Sequence, residues 1–317
     1  MKEPGYVSPA FRLGRVDPST APQKISYSQW SMYQKCPKQW ELAYIKKLAP
    51  FTNSIHTTFG TAFHEVLQKY LTIMYTQSVK KADEMDFTKE LTDNLKREYI
   101  TGVEQNGAHF STAHELSEFA HDGLAILDWF KKRRRTYFST KDVELIGIEL
   151  DLCVQASEKN PNVFWYGFLD IVLWDTALNK LFIIDIKTST RGWNKYQKAD
   201  KLKLAQLTSY KIKFSEQFGI PVDDVDVQFF IVKRKIDPNS MYPQKRVQII
   251  NPSSGSVTRK ALQKQIDKFV ETCFDEAGER IADKEYPAIT GVGSKHCKWC
   301  PFKQDFKNCP KENRKKE

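Results

Sequence analysis

A chain of 317 residues is long enough to bury a substantial core, as one large domain or two modest ones. Lys and Arg number 49 against 39 Asp and Glu, a formal charge of +10 that suits an anionic partner. The opening stretch MKEPGYVSPAFRLGRVDPST has no apolar h-region, and no apolar run reaches membrane-spanning length, so a secretory signal and a membrane span are not expected and the reading is cytosolic.

Residues 1–24 carry four prolines and little apolar periodicity, which predicts an extended arm. Ordered structure is expected over 25–310 as one domain, with a helical part at 25–135, a β core at 140–250, a helix and cysteine segment at 256–310, and a charged tail at 311–317. Ser26 or Ser28 can cap a helix through WSMYQKCPKQWELAYI that Pro37 interrupts. A second helix is expected to open at Gly60-Thr61, with Phe63, Val66, Leu67, Tyr70, Leu71 and Met74 on its apolar face and His64 beside them, near a helix start where backbone amides favour anions. Helices at about 87–105 and 113–135 follow, the latter ending in Lys131-Lys132-Arg133-Arg134-Arg135. That cluster suits a cationic helix C-terminus and a DNA contact equally well.

After a strand in VELIGIELDLCV come two apolar runs, WYGFLDIVLW and KLFIIDIK, rich in β-branched and aromatic residues and separated by the polar stretch Asp175 to Lys180. They read as an antiparallel hairpin. If the turn is centred between Ala177 and Leu178, Asp170 lies opposite Asp185, and Lys187 shares the face of Asp185. Directly opposed like charges are destabilising, and so much apolar sequence around them implies burial. A divalent cation offsets that repulsion. Oxygen ligands favour Mg²⁺, and an imidazole makes Mn²⁺ competitive. Glu149, or Asp151 on the same strand face, could add a carboxylate.

Past the hairpin lie Lys195, Lys198, Lys201 and Lys203, together with Trp193 and Tyr196 in a polar loop suited to stacking on unpaired bases. A helix is expected at about 198–218, stopped by Gly219 and Pro221, with Gln206 and Tyr210 one turn apart on a face that could contact phosphate or a base. Strands near 225–234 and 245–250 and a long helix at about 256–283 complete the order.

Six cysteines stand at 36, 153, 273, 297, 300 and 309. Without secretory features a disulfide framework is not expected. Cys153 and Cys273 read as buried thiols, whereas Cys297, Cys300 and Cys309 form C-x2-C-x8-C, one ligand short of a closed metal site. Cys36, in a Cys-Pro context like Cys300 and Cys309, is the natural fourth, with His296 as a substitute.

SYSQWSMYQKCPKQWEL, GTAFHEVL, GFLDIV, IIDIKTS and AQLTSY, followed by the C-terminal cysteines, resemble in sequence and order the motifs of PD-(D/E)XK nucleases of the RecB type, including the AddB nuclease domain and CRISPR-associated RecB-like exonucleases. The resemblance covers about residues 25–310. It implies an α/β (α+β) restriction-endonuclease-like core, a mixed central sheet flanked by helices, with an N-terminal helical region and a C-terminal cysteine segment. It implies that His64, Asp170, Asp185 and the Ile186 carbonyl ligate Mg²⁺ or Mn²⁺, that Lys187 completes the catalytic set, and that Cys36, Cys297, Cys300 and Cys309 hold a [4Fe-4S] cluster. Structural Zn²⁺ is the alternative for the same thiolates. The implied activity is a DNA exonuclease on single strands or ends in recombination, repair or CRISPR adaptation, in a prokaryotic or viral setting. A non-catalytic nucleic-acid-binding scaffold, or a subunit of a larger repair complex, is the rival. No P-loop appears in the sequence, so a helicase partner would be a separate chain.

Overall fold

Local capping decides where most helices begin. In the computed structural model, which describes residues 5–49, 53–237, 239–242, 244–288 and 296–310, the elements in chain order are β1 (Tyr6–Val7), β2 (Gln23–Ile25), α1 (Tyr27–Lys35), α2 (Pro37–Trp40), α3 (Ile55–Thr76), α4 (Val79–Asp83), α5 (Phe87–Asn106) and α6 (Ala113–Arg133). They continue with β3 (Val143–Ser157), β4 (Asn160–Asp175), β5 (Lys180–Ser189), α7 (Lys195–Lys198), α8 (Lys201–Phe218), β6 (Val225–Lys233), β7 (Val247–Ile250), α9 (Ser256–Cys273) and α10 (His296–Trp299). The charged tail and the His296 side chain lie outside the described residues.

Ser26 caps α1 by accepting the Gln29 N–H, and the helix stops at Cys36, whose extended backbone precedes Pro37 at the first position of α2. α3 starts five residues before the expected Gly60, because Ser54 and Thr57 form a reciprocal capping box. His64 therefore sits in the third turn and not near the helix N-terminus, which removes the expectation that free amides surround it. α9 ends at Cys273, ten residues short of the expected end. The chain turns there through Gly278 at φ 86°, a conformation that disfavours residues with a side chain, and Phe274 bridges to Arg280.

The residues gather into two compact units. The first comprises Met1–Gly14, Phe51–Asp151 and Phe168–Ser253, and the second Arg15–Pro50, Leu152–Gly167 and Ser254–Glu317. In the first, strands run in the order β1-β3-β4-β5-β6-β7. β4 pairs antiparallel with β5, β5 parallel with β6, and β6 antiparallel with β7. The parallel pair requires a crossover, which α8 supplies by packing on β5 and β6. Helices α3 to α6 cover one sheet face, where Phe59, Phe63, Leu67 and Phe130 meet Ile171, Ile184, Ile186 and Phe230 in one core. Each such side chain stabilises the fold by about 1.5–3 kcal/mol on burial. Ile183, Phe229 and Ile231 are buried as well, so both faces are covered. This is the mixed, helix-flanked sheet expected of a restriction-endonuclease-like core.

In the second unit β2 pairs parallel with β4 through Gln23↔Val163 and Ile25↔Trp165. Fully buried Trp40 anchors an aromatic cluster, its ring 5.8 Å from Tyr33, 5.5 Å from Phe269 and 5.3 Å from Tyr286. Ser157 and Asn160 tie the strands to α9 and the turn after it through Asp267 (2.7 Å) and the Asp275 carbonyl (2.6 Å).

Candidate functional site

The hairpin register follows from a symmetric turn. Asp175 pairs with Lys180 and Ile171 with Ile184, while Asp175 accepts the Leu178 N–H at 2.9 Å and Asn179 takes a left-handed φ of 49°. One step beyond Ile171 and Ile184, the Asp170 carboxylate accepts the Ile186 N–H at 2.7 Å. A side chain thus replaces the backbone partner, and Asp170 is pinned against β5 at the level of Asp185.

Asp185 is 3% exposed. Lys187 Nζ lies 2.6 Å from its Oδ2, an ion pair at the buried carboxylate. Burial pushes the Asp185 carboxyl up to about 6; Lys187 pulls against the shift and Asp170 adds to it. Burial alone would lower the Lys187 ammonium, but Asp185 and Asp170 outweigh it and hold the ammonium above its ordinary value. The lysine therefore stays charged beside two carboxylates, with a third of its side chain exposed.

α3 brings two more groups. His64 Nδ1 lies 3.8 Å from Asp170 Oδ2. Gln68, one turn further on, donates to Glu149 Oε1 at 2.8 Å and to the Asp170 carbonyl at 3.2 Å. Glu149 occupies β3 with φ 49°, an unfavourable conformation for a residue with a side chain and the mark of a strand locally re-aimed. Glu149 thereby joins the periphery of the site. Gln68 escaped the sequence reading, although its i+4 spacing from His64 was the available signal.

Other expected residues lie further out. Gln206 donates to the Tyr210 hydroxyl at 3.1 Å on α8, and Tyr210 is buried. Half-buried Trp193 is bracketed by Gln248, which accepts its N–H at 2.8 Å and donates to its carbonyl at 3.2 Å. Its ring packs on Phe229 at 4.9 Å, with the Lys203 ammonium 5.1 Å away. In the basic cluster at the end of α6, Lys131 donates to the Asp83 carbonyl and Arg134 to the Asp83 carboxylate at 3.0 Å, so these two serve the fold.

Among the described residues, no three His, Cys, Asp or Glu side chains form a ready-made metal cage. A hard divalent cation does not require one: Mg²⁺ is commonly held by one or two carboxylates, waters and the substrate's own phosphate. The buried Asp185 carboxylate beside Asp170 is a fitting ligand set for such an ion.

In the second unit, Cys36, Cys297, Cys300 and Cys309 line one small cavity. Burial raises the Cys36 thiol, and Cys300 and Cys309 are near enough to raise it further. All four are free of disulfides. Four thiols lining one cavity are a donor set that suits a thiolate-binding cation. Cys153 and Cys273 are fully buried elsewhere, as expected.

A family model described as the PD-(D/E)XK nuclease superfamily matches residues 24–304. No curated protein matches the sequence. Among solved structures, a Eubacterium rectale protein assigned as an exonuclease is similar at 9% identity over 84% of each chain, with a TM-score of 0.41. Among the described residues, no helix is long and apolar enough to cross a membrane.

Proposed function

This chain belongs to the PD-(D/E)XK nuclease superfamily, and from that premise we propose that it is a metal-dependent DNA nuclease that digests single strands or DNA ends as an exonuclease. The observation that carries the reading is the buried Asp185 carboxylate, set beside Asp170 and ion-paired with Lys187. Asp170 and Asp185, with His64 and the Ile186 carbonyl, would hold Mg²⁺ or Mn²⁺. When bound, the cation supplies Lewis acidity and charge neutralisation at the scissile phosphate.

The remaining work falls to the chain's own groups. Lys187, held protonated by its two carboxylates, donates hydrogen bonds to the attacking water or to phosphate oxygens and offsets charge that develops there. The Ile186 N–H fixes the Asp170 carboxylate, and Gln68 ties the Asp170 backbone to Glu149. The orienting groups thus stand on strands and a packed helix, and need little reorganisation when substrate arrives.

The four-cysteine cavity is proposed to hold a [4Fe-4S] cluster that pins Cys36 to the C-terminal segment. Broad visible absorption and about four irons per chain would support it, whereas colourless protein with stoichiometric zinc would assign the cavity to Zn²⁺. Incubating the pure chain with end-labelled single- and double-stranded DNA in Mg²⁺, Mn²⁺ or EDTA tests the main reading. Shortening of the labelled strand is expected only with metal; cleavage that persists in EDTA refutes the mechanism.

A further inference from the structure

Immediately after Lys187 the chain enters a second, small cleft that the proposed catalytic groups do not use. It is lined by His56, Phe119, Thr188, Ser189, Thr190 and Arg234. Backbone bonds hold its walls together: Arg234 N–H donates to the Ser189 carbonyl and Lys235 N–H to that of Thr190, both at 2.8 Å. Helix α3 lies so close that a side chain at Gly60 would come within 3.3 Å of Thr188 Oγ1, which leaves His56, one turn earlier, at the cleft.

Arg234 carries the argument. It is 9% exposed, and its guanidinium stacks 3.8 Å over Phe119, whose ring also meets His56 at 5.1 Å. Its Nη1 is occupied by Glu118 at 3.1 Å and by Asp122, and Lys235 bonds the same two carboxylates. The four charges cancel, so the cleft is not a diffuse basic patch. Among the described residues, however, the buried Arg234 Nε–H has no acceptor. Leaving a buried donor of a charged group unsatisfied is costly, and folded proteins seldom do so without a ligand or water. Ser189 Oγ already accepts the Gly192 N–H at 3.1 Å, which leaves its own proton to donate. The first turn of α3 adds the positive end of a 22-residue helix. The Arg234 Nε–H and the hydroxyls of Thr188, Ser189 and Thr190 can all donate into the cleft, and an acceptor with several oxygens would partner them.

We propose that the cleft of His56, Thr188, Ser189, Thr190 and Arg234 binds a phosphate of the nucleic-acid strand, next along the strand from the phosphate at Lys187. The spacing suits this, because Lys187 and Ser189 are about 7 Å apart along an extended strand. The proposal rests on the nuclease reading for the strand that reaches it. It assigns Arg234 a positioning role: the neighbouring phosphate is gripped so that the scissile one is held in register.

The test is strand binding by the full chain in EDTA, where no cleavage occurs, measured by anisotropy of a fluorescein-labelled single-stranded DNA with and without a terminal phosphate over a salt series. Arg234→Gln is expected to weaken binding about tenfold and to reduce the slope of log K against log salt by about 0.7, the release from one single-strand phosphate. Thr188→Val, an isosteric change that spares the ion pairs, is expected to weaken binding about threefold. Equal losses on both strands identify an internal phosphodiester, and losses confined to the phosphorylated strand identify a terminal phosphate; either supports the site. Unchanged affinity and slope in variants with native circular dichroism overturn it, as does a wild-type chain that binds neither strand. Because the readout needs no metal, a chain that binds in this way but never cleaves would sink the nuclease reading and leave this proposal standing.

Discussion

The carboxylate site and the cysteine cavity are two solutions to gathering like groups that resist being brought together. At the first, Asp170 and Asp185 come from adjacent strands of one hairpin, and the sheet enforces their proximity whether or not a ligand is bound. At the second, Cys36 must meet residues about 260 positions later in a polar segment that has little apolar surface of its own to bury. Strand pairing can absorb the cost of a buried carboxylate. A loop of polar residues cannot absorb the cost of clustering thiols, so a metal held there, as proposed, would itself contribute folding energy. Loss of metal should therefore silence the first site but destabilise the second.

The most severe break in that contrast is Lys187→Ala or Asp185→Asn. Either should lower cleavage by about 10³-fold or more while leaving the visible spectrum and secondary structure intact, as single-turnover assays and circular dichroism on the same preparation would show. Retained activity in either variant would remove the hairpin from the mechanism. Cys300→Ser should do the reverse, with visible absorption bleached and the melting temperature down by about 10 °C. If the spectrum and melting curve match wild type, the cysteines are not a metal staple.

A pH series sharpens the comparison. Burial holds the Asp185 carboxyl above its ordinary value, so the folded state favours the protonated form. That contribution is complete below the unfolded value of 3.8 and is lost as pH rises through about 6. In EDTA, stability should fall by about 1–3 kcal/mol across this window, Mg²⁺ should restore it above pH 6, and Asp185→Asn should abolish the dependence, all by thermal melts. A Mg²⁺ effect that survives in Asp185→Asn would place the ion elsewhere. The smallest expected effect is that of Gln68→Leu. It frees Glu149 and the Asp170 carbonyl from their shared donor, and should lower the rate about tenfold with little change in melting temperature. A rate equal to wild type would make Gln68 purely a packing residue.

Much of the carboxylate site was legible in the chain because its logic is local. Alternation along WYGFLDIVLW and KLFIIDIK, with a symmetric turn, was enough to set Asp170 against Asp185 and Lys187 on the same face, and the observed pairing keeps that register. The surroundings were not legible. The start of α3 moved to Ile55 because a Ser54–Thr57 capping box outranked the glycine at 60, and this changed what surrounds His64. The short pairing of Tyr6 with Ile148 in β1 has no periodicity to announce it. The C-terminal end of α9 was misjudged because its amphipathic pattern continues past Cys273 while Gly278 turns the backbone.

By itself the sequence determined the strand faces, the helix faces and the turn chemistry, since these depend on residues two to four positions apart and on backbone hydrogen bonds that repeat along the chain. Only the tertiary structure decided that Gln68 bridges Glu149 to Asp170 and that Phe119 presents Arg234 to the end of β5. Those meetings depend on which apolar faces pack together and at what offset, and no periodicity along a single segment records that choice.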